Sequence, residues 1–202
     1  MRFVDLFAGL GGFYLALKGL GHECVFASDI DPELQKLFAL NFPEAKHLIH
    51  GDIRECKSEV PSHDILCAGF PCQPFSKSGS QDGLRDKTRG TLFHEILDIL
   101  QKHRPGYVIL ENVGNFERHD GGRTWAIVRE SLGKLGYEVR GTEHVTSGGH
   151  GLVSPHHLGY PHSRERFFIV ASLEKLLDDP FPKRDRDRMT SLRDIVQPSS
   201  EL

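Results

Sequence analysis

Cys72 is the residue of this sequence best placed for covalent chemistry. It sits in the stretch Gly69-Phe70-Pro71-Cys72-Gln73-Pro74-Phe75-Ser76, a polar loop that a proline stiffens on either side, whereas a structural cysteine is ordinarily sunk among apolar neighbours. Cys67, inside the apolar run from Asp64 to Ala68, fits that structural description instead. A thiolate is a strong nucleophile, yet with a free pKa of about 8.5 little of a thiol is ionised at neutral pH, so a neighbouring cation helps. The stretch Gly159-Tyr160-Pro161-His162-Ser163-Arg164-Glu165-Arg166 supplies two, because Arg164 and Arg166 at i and i+2 project from one side of an extended segment. The same pair also suits a solvated edge strand. Glu111, at the end of the apolar run Tyr107 to Leu110, adds a carboxyl group that can share a proton with a substrate or cap the turn that follows.

A second constellation opens the chain. Asp5-Leu6-Phe7-Ala8-Gly9-Leu10-Gly11-Gly12 leaves a first strand and enters a first helix, where backbone passes close to a ligand and side chains would obstruct it. Asp29 lies twenty residues beyond Gly9, at the end of a second strand, where an acid can hold ribose hydroxyls. The pair reads as a nucleoside site; without a ligand it is a tight turn. The full GxGxxG dinucleotide fingerprint is absent, which disfavours NAD. Asp52 and Ile53, ending a third candidate strand, either add an acid and an apolar wall for an adenine ring or are a turn acid beside a core residue. His144, His150, His156, His157 and His162 lack cysteine partners and regular ligand spacing, so no metal site is expected.

The elements that must position these groups follow from the apolar pattern. Short apolar runs alternate with helical periodicity, the signature of a parallel sheet wound with crossover helices, so the class is α/β. Strands are expected at Phe3 to Leu6, Glu23 to Ser28, Asp64 to Ala68, Tyr107 to Leu110 and Arg166 to Ala171. Helices are expected with Phe13, Ala16, Leu17 and Leu20 on one face, and with Leu34, Leu37 and Phe38 after an Asp31 cap and Pro32. Two more are expected from Thr91 to Lys102 and from Trp125 to Leu135, the latter burying Val128, Leu132 and Leu135. Cys72, Glu111 and the acids then share the carboxyl edge of the sheet, where open α/β sheets bind ligands.

Composition sets the outer bounds. At 202 residues, 38% hydrophobic and 26% charged, the chain has material for one sizeable core. The net charge of −3 is not that of a protein binding nucleic acid over its whole surface, although it permits a local basic groove or a basic partner region. No run approaches the ~18 apolar residues of a membrane helix, and an acid at position 5 comes too early for a signal peptide, so a cytoplasmic location is expected. The four cysteines show no CxxC pairing, and free thiols are expected.

Read in order, DLFAGLGGF, GFPCQPFS, ENV and an RxR after Gly-Tyr-Pro resemble the DNA cytosine-5 methyltransferases, particularly the bacterial enzymes of restriction-modification systems. The resemblance runs from about Phe3 to Ala171. It implies a Rossmann-like, doubly wound methyltransferase fold with S-adenosylmethionine as methyl donor. It also implies a cofactor site formed by Phe7, Gly9, Leu10, Gly11, Gly12, Asp29, Ile30, Asp52, Ile53, Gly69, Pro71 and Leu92. Cys72, Glu111 and Arg166, with Arg164 beside them, would be catalytic. Duplex DNA would be the substrate, with nucleoid association, and Gln73, Ser76, Lys77, Ser78, Gln81 and Arg89 would touch it from a loop over residues 76–90 that closes on DNA. His162 stands where the family usually has Gln. Residues 1–172 then read as the catalytic and cofactor-binding domain. Residues 173–202 read as a linker or the start of a target-recognition region, and a complementary chain or a truncation is expected to account for the rest.

The chemistry implied is covalent addition of Cys72 to carbon 6 of a flipped cytosine, which activates carbon 5 toward the methyl group. Three other functions share parts of this pattern: an RNA cytosine methyltransferase with the same Cys-Glu-Arg site, a non-catalytic binding subunit that keeps the fold, and a nicotinamide oxidoreductase built on the Gly-rich turn alone.

Overall fold

The computed structural model describes residues 1–71, 91–141, 151–176, 179–181 and 191. Among them, eight strands form one sheet: Arg2–Leu6 (β1), Glu23–Ser28 (β2), Ile49–His50 (β3), Ile65–Ala68 (β4), Tyr107–Val113 (β5), Glu138–Arg140 (β6), Leu152–Val153 (β7) and Arg166–Ser172 (β8). The order is β3-β2-β1-β4-β5-β8-β6, with β7 paired to β8. β1 to β5 are mutually parallel wherever they pair. β8 runs antiparallel to β5, β6 and β7. This is the mostly parallel, Rossmann-like α/β sheet that the apolar pattern and the resemblance imply.

The helices are Gly12–Gly19 (α1), Pro32–Asn41 (α2), Ile53–Cys56 (α3), Leu92–His103 (α4) and Arg123–Lys134 (α5). Three of them start at a side-chain cap, which satisfies amides that the first helical turn leaves without partners, whereas α1 and α5 follow glycines, Gly11 and Gly122, that make no such bond. Asp31 accepts from the Glu33 amide at 2.8 Å ahead of α2, and Asp52 from the Arg54 amide at 2.9 Å ahead of α3. Thr91 accepts from the His94 amide at 3.3 Å ahead of α4. Among the described residues, no helix is long and apolar enough to cross a membrane.

Alternation along the strands sends side chains to opposite faces, and two apolar clusters result. On one face Val4, Leu6, Leu66, Val108 and Leu110 meet Phe93, Ile96 and Leu100 of α4 and Val128 and Leu132 of α5. On the other, Phe3, Ala27 and Cys67 meet Tyr14 and Leu17 of α1 and Phe38 of α2. Each large side chain so buried is worth about 1.5–3 kcal/mol relative to exposure.

Three helical faces differ from expectation. α1 buries Tyr14 and Leu17, while Ala16 is exposed and Leu20 is 73% exposed. The cause is Tyr14, whose ring packs 5.3 Å from that of Phe38 and 4.4 Å from that of Phe42 while its hydroxyl donates to Glu44 at 3.0 Å. An amphipathic tyrosine thus takes the core side and rotates the helix. In α2 Phe38 is fully buried and Leu37 is exposed, because one aromatic ring fills the space below the helix. Leu135 follows α5 as its C-cap and is only partly covered. The short strands β3, β6 and β7 have too few residues to show a period.

Two histidines lie at the edge of the sheet opposite the glycine-rich turn. His63 is 5% exposed, and its Nδ1 donates to the Pro61 carbonyl at 2.7 Å. Its ring centroid is 5.3 Å from that of His103, and both Nε2 atoms are buried without a partner among the described residues. Protonation would create a buried N–H with no acceptor, so burial holds both imidazoles below the ordinary value of 6.5. The unfolded chain binds these protons first, so each histidine lowers stability as pH falls below about 6.5. We expect urea denaturation of His63→Asn, compared with the unaltered chain at pH 7.5, 6.5 and 5.5, to show the stability difference shifting toward the variant as pH falls. A pH-independent difference would contradict this origin.

Candidate active site

β1 lies between β2 and β4, and the crossover helices change faces there, which opens a crevice at the carboxyl edge. The turn out of β1 lines it. Phe7, Gly9 and Gly11 all have left-handed φ, at 58°, 55° and 83°. The Asp29 carboxylate fixes the turn from β2, since Oδ2 accepts from the Gly9 amide at 2.8 Å and Oδ1 from the Asp31 amide at 3.0 Å. Each oxygen retains a lone pair for a further donor such as a ribose hydroxyl.

The two glycines serve different needs. A Cβ on Gly9 would meet nothing within 4 Å, so only its backbone angle restricts it. A Cβ on Gly11 would fall 2.4 Å from the Phe42 ring and 3.1 Å from that of Phe38. The side chain that Gly11 avoids is therefore an aromatic residue of the protein, and the expected obstruction of a ligand is not the reason for this glycine.

A cavity of about 450 Å³ adjoins the turn, within the range of small-molecule sites. Of the expected cofactor residues, Phe7, Asp29, Ile30, Asp52, Ile53 and Leu92 line it; Gly9, Leu10, Gly11, Gly12, Gly69 and Pro71 stand outside its wall. Ser28, Gly51, Arg54, Thr91 and Glu95 line it without having been foreseen. Thr91 and Arg54 carry a readable signal, since each adjoins an expected residue at a helix start. Ser28 carries none: its 1% exposed hydroxyl has no partner among the described residues, which suits a wall awaiting a polar ligand atom. Apolar sides from Phe7, Ile53 and Leu92, a carboxylate at Asp29 and this hydroxyl together fit a nucleoside.

Asp52 both caps α3 and lines the cavity, so its two expected roles coexist. The Arg54 guanidinium pairs with its carboxylate and holds it below the usual carboxylate range. On the facing helix, Glu95 receives Lys57 at 2.5 Å, and Lys57 also reaches Asp98 at 2.6 Å.

Farther along the edge, Glu111 and Arg166 meet, with Nε 2.7 Å from Oε1 and both side chains about three-quarters covered. β5 ends here and β8 begins here. Burial pushes the Glu111 carboxyl above its ordinary range, against the charges of Arg166 and Arg164. A Cβ on Gly69 would be 3.5 Å from Glu111 Oε2 and 3.7 Å from the Phe7 carbonyl oxygen, so the carboxylate lies beside the segment leading to Cys72. Asn112 secures that segment by donating to the Phe70 carbonyl at 2.8 Å. Arg164 is exposed, and its amide donates to Ser154 Oγ at 3.0 Å. His162 is likewise exposed. Cys72, Gln73, Ser76, Lys77, Ser78, Gln81 and Arg89 lie outside the described residues, as do His144 and His150.

The family model for C-5 cytosine-specific DNA methylases matches residues 1–201. The chain is 39% identical over 205 residues to Type II methyltransferase M.HhaI of Haemophilus parahaemolyticus, covering 100% of this chain and 58% of that protein. It is 39% identical over 183 residues to Type II methyltransferase M.MspI of Moraxella sp, covering 90% of this chain and 41% of that protein. A crystal structure of a DNMT2 mutant from Spodoptera frugiperda matches with a TM-score of 0.70 at 24% identity, over 98% of this chain and 60% of that one, a likeness of fold. The chain spans about half the length of the curated relatives it matches.

The packing of the turn yields a stability order. Gly11→Ala combines a left-handed alanine with a ring clash and should cost about 2–4 kcal/mol, whereas Gly9→Ala, with open space, should cost about 1–2 kcal/mol. Chemical denaturation of both variants measures the two losses, and equal values would remove Phe42 from the explanation.

Proposed function

The chain belongs to the C-5 cytosine-specific DNA methylase family, and from that premise we propose that it transfers a methyl group from S-adenosylmethionine to carbon 5 of cytosine in duplex DNA. The observation that carries this reading is the Glu111–Arg166 pair beside Gly69, three residues before Cys72, on the same sheet edge as a nucleoside-sized cavity. Residues 1–172 would be the catalytic and cofactor-binding unit. Residues 173–202 would lead toward a target-recognition region, supplied by further sequence or by a complementary chain, because specific readout usually buries about 1,000–2,500 Å² of basic surface. Such an enzyme acts at the nucleoid.

Phe7, Ile30, Ile53 and Leu92 would enclose the adenine, and Asp29 would hold the ribose. S-adenosylmethionine, when bound, supplies the methyl group from a sulfonium. The Cys72 thiolate, favoured by Arg164 and Arg166, adds to carbon 6 of a base flipped out of the stack. Charge then builds on the ring, where Glu111 gives a proton to nitrogen 3 and Arg166 binds the carbonyl oxygen. Carbon 5 takes the methyl group and loses its proton to water, the returning electron pair expels Cys72, and nitrogen 3 gives its proton back to Glu111. A flipped RNA cytosine meets the same groups, and assays on duplex DNA and tRNA distinguish the substrates.

Cys72→Ala should abolish methyl transfer while leaving affinity for S-adenosylhomocysteine nearly unchanged, and unaffected turnover would sink the covalent route. A duplex with 5-fluorocytosine at the target should trap an adduct through Cys72, since fluorine replaces the departing proton; the check is a denaturing gel with a competent assembly. Asp29→Ala should weaken cofactor binding by about 1.5–3 kcal/mol in calorimetric titration. Glu111→Gln should lower kcat by about 10²–10³. Transfer by the unaltered protein should decline as pH rises through the raised Glu111 pKa, because the proton it gives is then lost.

A further inference from the structure

Glu95 lies in the first turn of α4, three residues after Leu92, so both side chains project from one face of the helix, and both line the cavity. An acid there has an ordinary use, since it complements the positive end of the helix and bridges to Lys57 beside α3. That use accounts for one oxygen only. Lys57 donates to Oε2 at 2.5 Å, while Oε1 has no donor among the described residues and is not closed off by packing.

Asp52, the other acid on this side of the cavity, differs. Its Oδ1 accepts from the Arg54 amide at 2.9 Å and from Arg54 Nε at 3.0 Å, and its Oδ2 accepts from Nε at 2.9 Å and from a terminal guanidinium nitrogen. Each oxygen of a carboxylate takes about two donors, so Arg54 fills Asp52. Glu95 is thus the carboxylate that a ligand donor reaches where α3 and α4 line the cavity, and it stands one turn along from the apolar wall at Leu92.

A purine held among Phe7, Ile53 and Leu92 has to offer this oxygen an N–H. The amino group of adenine does so, whereas an oxo group on the same ring carbon would set lone pair against lone pair. We infer that Glu95 is a specificity-determining residue of the cofactor site, whose Oε1 accepts from the adenine amino group and so selects the amino purine over its oxo counterpart. The inference rests on the cofactor reading above. Lys57 sets the orientation: by holding Oε2 it leaves Oε1 for the ligand, and its second bond, to Asp98 at 2.6 Å, keeps the ammonium in place.

The test is calorimetric titration of the full chain and of Glu95→Gln with S-adenosylhomocysteine and with S-inosylhomocysteine, in which an oxo group replaces the amino group. The unaltered chain should prefer the adenine ligand by about tenfold or more, as expected when a donor is lost opposite a charged acceptor. Glutamine has the same shape, and Lys57, which only donates, selects its side-chain oxygen and leaves the NH2 group for the cavity. Glu95→Gln should therefore bind S-adenosylhomocysteine more weakly and S-inosylhomocysteine more tightly, so that the preference shrinks by about tenfold or inverts. A merely structural Glu95 would weaken both ligands by one factor and leave the preference unchanged, which would overturn the proposal. If Glu95→Gln does not fold, Glu95→Ala decides, since Lys57 keeps its bond to Asp98. Loss of the preference in that variant supports the proposal, and an unchanged preference overturns it. Absence of binding of either ligand by the unaltered chain would instead overturn the cofactor reading, and this inference with it.

Discussion

The carboxyl edge of this sheet depends on how β1 ends. The strand arrives buried from Phe3 to Leu6, and within five residues the chain must leave the ladder, reverse and begin a helix. It does so with three left-handed residues, one of them Phe7. An L-residue in that region costs about 1–2 kcal/mol, so it persists only where its surroundings determine it. Here the Ala8 amide donates to the Ser28 carbonyl at 2.9 Å, the Gly11 amide to the Ala8 carbonyl at 2.8 Å, and Asp29 holds Gly9 between them. Strand pairing, helix start and cavity wall are thus consequences of one short segment.

The opposite end of the site is governed by competition between desolvation and charge. Glu111 is covered enough to resist ionisation, while two arginines oppose that effect, and burial prevails. A carboxyl poised in this way suits proton donation better than one paired on an open surface, where water would screen the arginines. The antiparallel turn of the sheet makes the arrangement possible. An acid at the end of β5 and a guanidinium at the start of β8 can meet at one edge only because these strands run in opposite directions.

Much of this is legible in the sequence, and the parts that are not have physical causes. The acids at strand ends, the Asp31 cap and the apolar strands follow from local rules that tertiary packing did not override. The face of α1 does not, because Tyr14 counts as half polar until Phe38 and Phe42 are known to surround it. The purpose of Gly11 is hidden for the same reason: its neighbours in space, Phe38 and Phe42, belong to the next helix and the residue after it. Ser28 is invisible because a hydroxyl at a strand end acquires meaning only from a cavity beside it. Asp5 is visible as a letter of a motif, but its isolation from water emerges only from the sheet around it.

β8 carries its arginine at its first residue. Seven residue pairs with β5, from Tyr107 opposite Ser172 to Val113 opposite Arg166, fix the strand's register. Length changes before residue 166 therefore need not move the guanidinium, whereas one residue inserted within β8 would turn its faces over. The chain is divided at this point into a stretch that evolution can lengthen, shorten or replace and one in which every position is counted. The loop just ahead of β8 can therefore vary in length while the Arg166 guanidinium and the Glu111 carboxyl it meets on β5 stay in place.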